Sequence, residues 1–346
     1  MRRVLSIASV VLAFYVLLFP VFGASKPFQI YFIDVEGGQS TLIVDLEGES
    51  LLIDTGWDDF NGRDADRIVA AAKSAGIDHI DDLILTHYHA DHAGGTPQLA
   101  SRIKIGAFFD HGASVETSEA TTKAYNGYAE VASHAKRTTM KPGDVLPLKG
   151  MHVEVLEAAG THIAEAVPGA GQPNPLCASE PNYPPDPSEN SQSVGVLITF
   201  GKFRFLDLGD LTNAKELGLA CPNNLIGTVD LYLVTHHGTA HPGSGDGSNA
   251  RAIVQMLHPR VAVMNNSTVK GGHPFAWQIV HDSPGLEGFW QLHYSLAGDK
   301  DHNVEEKFIA NAGGADQGNY IKVTADPDAT FTVTNSRNNF SKTYKK

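Results

Sequence analysis

The segment Thr86-His87-Tyr88-His89-Ala90-Asp91-His92 decides how this chain is read. Four potential metal ligands occupy six consecutive residues, after an apolar run over 82–86 that reads as a buried strand. In extended backbone, residues two apart point the same way, so His87 and His89 can converge on one ion. The chain then turns, which lets Asp91 and His92 face a second ion beside the first. Imidazole nitrogen with carboxylate oxygen is the donor set of catalytic zinc-type sites, where a coordination position stays open for water. The segment therefore points to metal-assisted hydrolysis rather than to a solvated, histidine-rich turn.

Working outward, residues 28–35, 40–46 and 50–53 read as strands, the last ending at Asp54-Thr55-Gly56. Ile68, Ala71, Ala72 and Ala75 fall on one helical face, with Asp64 as the expected cap and Gly76 as the stop. Further helices are expected over 117–136 and 249–257, and further strands over 151–156, 194–200, 203–208, 229–235 and 261–264. Residues 320–334 read as a hairpin turning at Asp326-Pro327-Asp328. Seven prolines between 160 and 190 mark a long loop, and long ordered loops in compact domains tend to be functional or tied down. No repeat and no interdomain linker breaks this order, so residues 25–346 are expected to form one α+β domain.

The composition excludes several classes. Hydrophobic residues make up 42% of the 346 and charged residues 19%, a globular balance, and 34 Gly with 18 Pro favour many short elements over a helical bundle. The net charge of −13 leaves no broad cationic face for a long nucleic acid, so a small-molecule substrate is expected instead. Met1-Arg2-Arg3, an uncharged stretch up to Lys26, Pro20 and the small residues Gly23-Ala24 read as a signal peptide over 1–24. Its cleavage would leave a periplasmic or secreted protein with no stable membrane insertion; an uncleaved anchor is the competing reading. In an exported chain the two cysteines, Cys177 and Cys221, suggest a disulfide worth at most about 4 kcal/mol, against two half-buried thiols.

His87-Tyr88-His89-Ala90-Asp91-His92 resembles the H-x-H-x-D-H signature of the metallo-β-lactamase superfamily. Asp54-Thr55-Gly56 is similar to the strand-end Asp before that signature. Leu208-Gly209-Asp210 resembles the strand-end Gly-Asp whose carboxylate bridges both metals, and Val234-Thr235-His236-His237-Gly238 the late strand that supplies the last histidine. The resemblance implies a four-layer αββα sandwich with the metals at one edge of its two sheets. Ile33-Asp34-Val35-Glu36-Gly37-Gly38-Gln39-Ser40, Glu189-Asn190-Ser191-Gln192-Ser193, the histidine doublet and Gly272-His273-Pro274 further resemble the extracytoplasmic domain of competence-type (ComEC) proteins and their phosphorylcholine-esterase relatives.

On this resemblance His87, His89 and Asp210 hold a first divalent ion, and Asp91, His92, Asp210 and His237 hold a second. Zinc is the expected metal and manganese the alternative. Asn190 stands where many members place a third histidine for the first ion, which weakens binding there. Neighbours on a strand point to opposite faces, so His236 and His237 should not share an ion. The esterase branch implies His237 as the ligand and His236 as a substrate-facing or supporting group. Asp54 is expected to orient a ligand histidine by accepting its other N–H, and His273 to face substrate or sit in a turn. His241 lies in a glycine-rich rim.

Two cations about 3.5–4 Å apart would lower the pKa of a shared water toward 7 and stabilise charge on the attacked centre. Asp210 would bridge them, Asp91 would hold the second, and His236 would donate to the leaving group or hold an oxyanion. The resemblance points to a phosphoester, a small or choline-like phosphodiester above all. A lactone, β-lactam or thioester hydrolase is the enzymatic alternative. A non-catalytic metal-binding module with an incomplete site, suggested by Asn190, is the other.

Overall fold

Strands that are apolar on both faces demand cover on both sides, and two packed sheets between helices supply it. In the strand Phe28–Phe32, Phe28, Ile30 and Phe32 enter the core shared by the two sheets, while Tyr31 joins the layer behind. In Val261–Met264, Val261 and Val263 face the shared core, and Ala262 and Met264 the opposite layer. The computed structural model describes residues 27–58, 60–240, 245–313 and 316–346. The expected leader over 1–24 lies outside these residues, and among them no helix is long and apolar enough to cross a membrane.

The nine-stranded sheet runs in the order Ser341–Tyr344, Phe331–Asn335, Ile321–Ala325, Phe28–Phe32, Thr41–Val44, Ser50–Ile53, His79–Ile84, Lys104–Asp110, Lys136–Thr139. The eight-stranded sheet runs Ile309–Asn311, Gly288–His293, Val261–Met264, Leu231–Leu233, Phe203–Asp207, Gly195–Phe200, His152–Ala158, Thr161–His162. Helices Arg63–Ala75 and Glu119–Ala132 cover the first sheet through Ile68, Ala72, Ala124 and Tyr128. Asn213–Ala220, Arg251–Leu257 and Pro274–His281 cover the second through Leu219, Ile253, Val254, Trp277 and Val280. The expected α+β sandwich of four layers is the observed one.

Half of each sheet is parallel, from Ser50–Ile53 to Lys136–Thr139 in one and from Phe203–Asp207 to Ile309–Asn311 in the other. Crevices outside the carboxyl ends of parallel strands are where ligands bind in such sheets. Asp54, His87, Asp210, His237 and Lys270 all lie just beyond such ends.

Two local expectations need correction. Helix Arg63–Ala75 ends at Gly76 in the left-handed conformation, as its sequence suggests, but Gly62 rather than Asp64 occupies the cap. Asp64 sits in the first turn and accepts from Trp57 N and Arg63 Nε. The expected strand over 229–235 stops at Leu233, because the next residues turn sharply. The Pro-rich segment is strapped down rather than free. Gln172–Pro173 pairs with Asn223–Asn224, Cys177 and Cys221 form a disulfide, and Asn174 donates to Ala220 O and Ala252 O. Glu180 accepts from Ala252 N, so the segment wraps the outer helices before Glu189–Gln192 returns to the strand ends.

One buried carboxyl sets a pH dependence. Glu157 is fully buried on His152–Ala158, and neither of its oxygens has a hydrogen-bond partner. Burial pushes it up to about 8, with Lys215 opposing. A carboxyl raised on folding adds stability below its unfolded value that is lost as pH climbs through the folded one, by at most roughly 1.4 kcal/mol per pH unit. Glu157→Gln, neutral throughout, should therefore melt progressively higher relative to the parent between about pH 5 and pH 8.5. Thermal unfolding scans across that range test this; a constant difference between the two would show that Glu157 is already ionised at low pH.

Candidate metal centre

Tight turns at strand ends place the site. Asp54 follows Ser50–Ile53 with φ 62°, and its carboxylate accepts from Thr86 N at 2.8 Å, Thr86 Oγ1 at 2.7 Å and His92 Nδ1 at 2.7 Å. With Nδ1 committed to Asp54, His92 turns its Nε2 inward. That nitrogen lies 3.3 Å from Asp91 Oδ2, 3.3 Å from Asp210 Oδ2 and 3.3 Å from His237 Nε2. His237 Nε2 lies 3.2 Å from Asp91 Oδ2 and 3.4 Å from Asp210 Oδ2. The four ligand atoms of Asp91, His92, Asp210 and His237 all fall within 4.8 Å of one another, and all four residues are buried.

His87 and His89 stand beside this cluster. His87 Nε2 is 3.1 Å from His89 Nδ1 and 4.0 Å from Asp210 Oδ2. The other nitrogen of His89 meets the Glu116 carboxylate at 3.2 Å, a partner that sequence patterning did not single out. Asn190 is buried in the Glu189–Gln192 turn, and its Oδ1 has no partner.

The doublet is arranged differently from the alternation expected of a strand. Thr235–Gly238 forms a tight turn in which His236 and His237 both have φ 55°. Left-handed backbone at both residues removes the strand alternation, so both rings approach Asp210. His236 Nε2 lies 3.4 Å from Asp210 Oδ2, and its Nδ1 lies 3.2 Å from Ser248 Oγ. His273 caps the helix Pro274–His281 by accepting from Phe275 N at 3.2 Å, and its own N donates to Gly238 O. His241 lies outside the described residues.

Other residues complete the surroundings. Glu189 accepts from Tyr88 N, His111 Nε2, Ser114 Oγ and Val115 N, which ties the backbone of the histidine segment to the end of the Pro-rich segment. Ser193 Oγ accepts from Asp210 N. Lys270 forms an ion pair with Asp91 Oδ2. These roles are long-range, and no spacing in the sequence announces them.

The electrostatics follow from burying charges together. Burial opposes ionisation of Asp91, yet Lys270 and His92 outweigh it and hold the carboxyl well below its usual range. Burial likewise opposes Asp210, and His236, His237 and His92 hold it well below. Burial disfavours protonated His92, but Asp210, Asp91 and Asp54 raise it well above an ordinary imidazole. His87 goes the other way, lowered by burial and by the neighbouring His92 and His89. Carboxylate oxygens and imidazole nitrogens facing one another in a buried cluster need positive charge between them. A divalent cation fits that demand and the donor set.

Residues 33–172 match the family model of the metallo-beta-lactamase superfamily. The two packed sheets between helices agree with that match, which spans less than half of the 346 residues. The matched stretch carries Asp54 and the 87–92 segment, while Asp210, His236 and His237 lie beyond it. Among solved structures, the metallo-beta-lactamase fold protein YhfI from Bacillus subtilis is similar, at 14% identity and TM-score 0.46, over 76% of this chain and 95% of that one. CmlA, a diiron β-hydroxylase from Streptomyces venezuelae, is 17% identical at TM-score 0.42 over 75% of this chain and 48% of its own. A diphosphatase of the PhnP family is 15% identical at TM-score 0.38 over 72% and 80%. None of these three likenesses reaches a TM-score of 0.5. Curated proteins gave no match.

Asp54 offers a test of the cluster. Asp54→Ala removes the acceptor that fixes the His92 ring, and metal affinity should fall about 10–100-fold. Competition with a chromogenic chelator measures it. Unchanged affinity would mean that the Asp54–His92 contact does not support metal binding.

Proposed function

We propose that the protein is an exported, metal-dependent hydrolase of small phosphoesters, phosphodiesters first. The observation that carries this reading is the buried meeting of Asp91, His92, Asp210 and His237, four ligand atoms within 4.8 Å. A divalent ion bound there would supply Lewis acidity and a hydroxide nucleophile at neutral pH. His87 and His89, 3.1 Å apart and next to Asp210, are the residues proposed to hold a second ion with it.

The protein groups divide the remaining work. Asp54 holds the His92 ring in one orientation, and Ser193 holds the backbone of Asp210. Burial keeps His236 at about 4, so it is neutral at pH 7. A neutral imidazole pinned to Ser248 at Nδ1 suits hydrogen bonding to a developing oxyanion better than delivery of a proton. Behind Ser248 a cavity of about 200 Å³ opens between the Pro-rich segment and the outer helices, lined by Tyr183, Asn213, Arg251, Phe275 and Ile279. Such a mixed apolar and polar recess suits one small organic substituent of an ester. The acidic balance of the chain, −13, argues for small substrates over nucleic acid. Export is supported by the character of residues 1–24 and by the Cys177–Cys221 disulfide.

Turnover of bis(p-nitrophenyl) phosphate and p-nitrophenyl phosphorylcholine by zinc- or manganese-loaded protein tests this directly, with nitrocefin and a lactone alongside. The expected result is metal-dependent release of nitrophenol from the phosphoesters, lost at least 100-fold in Asp210→Ala. Hydrolysis of the carbonyl substrates alone would replace the phosphoester assignment, and metal binding without any turnover would leave a binding module.

A further inference from the structure

An ammonium stands at the same cluster, and the chain goes to some length to hold it there. Lys270 lies beyond the end of Val261–Met264, in a turn closed by Ser267. Ser267 N donates to Lys270 O at 2.8 Å, and Ser267 Oγ accepts from Val269 N at 3.1 Å and Lys270 N at 2.9 Å. Gly271 and Gly272 follow with φ 73° and 61°. A Cβ on Gly271 would fall 2.1 Å from His237 O, and one on Gly272 2.6 Å from Ser295 Cβ. Gly272 N donates to His237 O at 2.9 Å. The turn is thus locked onto the backbone of a residue in the metal cluster.

From that turn Lys270 Nζ reaches Asp91 Oδ2, and it lies 5.2 Å from the centre of the Trp57 ring. Among the described residues no arginine and no other lysine pairs with Asp91 or Asp210. The Lys270 side chain keeps 34% of its surface accessible, while Asp91 keeps 9%. A cation beside a ligand carboxylate competes with a metal for that carboxylate, so pairing with Asp91 does not by itself account for the residue. The ammonium at the end of this half-buried side chain does account for it: an anion entering the cluster would meet it on the Trp57 side.

We propose that Lys270 is an anion-recognising residue, binding a negatively charged oxygen of the substrate beside the Asp91–His237 cluster with Trp57 as the wall under it. The proposal deepens the phosphoester reading and rests on it for the identity of the anion. A phosphodiester monoanion has the charge that such a group selects over neutral esters.

The test uses the full chain loaded with zinc, with Lys270→Met and Lys270→Arg. Calorimetric titration with inorganic phosphate reads anion binding without turnover. Lys270→Met should weaken phosphate at least 10-fold, Lys270→Arg should recover most of that loss, and metal bound per chain should not fall in either. The ratio of kcat/KM for bis(p-nitrophenyl) phosphate over the neutral p-nitrophenyl acetate should drop at least 10-fold in Lys270→Met, mainly through KM. Equal phosphate affinity in parent and Lys270→Met overturns the proposal, and so does a loss of metal from Lys270→Met, which would make Lys270 a support for Asp91. If the parent cleaves no phosphoester yet Lys270→Met still loses phosphate affinity, the anion site stands and the phosphoester reading falls.

Discussion

The structure turns on one electrostatic demand: lone pairs of two imidazoles and two carboxylates are brought together in the buried interior of a packed protein. His92 and His237 approach each other to 3.3 Å between Nε2 atoms, with Asp91 and Asp210 within 3.4 Å of both. Unneutralised, such a cluster costs several kcal/mol per buried charge. A raised proton affinity at His92 and the ammonium of Lys270 answer part of the demand, and a divalent cation answers it with the same donors. The rest of the site can be understood as what keeps those four atoms aimed.

Aiming them takes backbone that ordinary residues rarely adopt. Asp54, His236 and His237 all have left-handed φ values, each a conformation that non-glycine residues hold only when their surroundings insist. Close approaches supply the insistence. A Cβ on Gly38 would fall 2.3 Å from Asp91 O, and one on Gly209 2.9 Å from Thr86 Cβ, so two glycines let neighbouring segments close around the cluster. Two sheets, each with its parallel half ending at the same crevice, give these turns a rigid base.

Much of this was legible in sequence because it is local. The 87–92 segment, the strand-end Asp54 and Asp210, and the alternating apolar runs each carry their meaning within a few residues. Helix Arg63–Ala75 and the hairpin Ile321–Ala325 with Phe331–Asn335 follow their periodicity. The strands Lys104–Asp110 and Gly288–His293 and the helices Asn213–Ala220 and Pro274–His281 were not anticipated, since short elements buried among others need little periodicity of their own. What lies beyond local reach is of a different kind. The His236–His237 geometry depends on a turn that breaks strand alternation, and Glu116, Glu189 and Lys270 arrive from 27, 101 and 179 residues away from their partners His89, Tyr88 and Asp91. Separation of that size leaves no pattern to read.

Anomalous diffraction from crystals soaked in zinc, with data collected above and below the zinc edge, addresses the centre most directly. A peak is expected at coordination distance, about 2.0–2.2 Å, from His92 Nε2, His237 Nε2 and carboxylate oxygens of Asp91 and Asp210. A map with no peak there under saturating zinc, or with its strongest peak at the separate Asp34, Glu36 and His293 cluster, would contradict it.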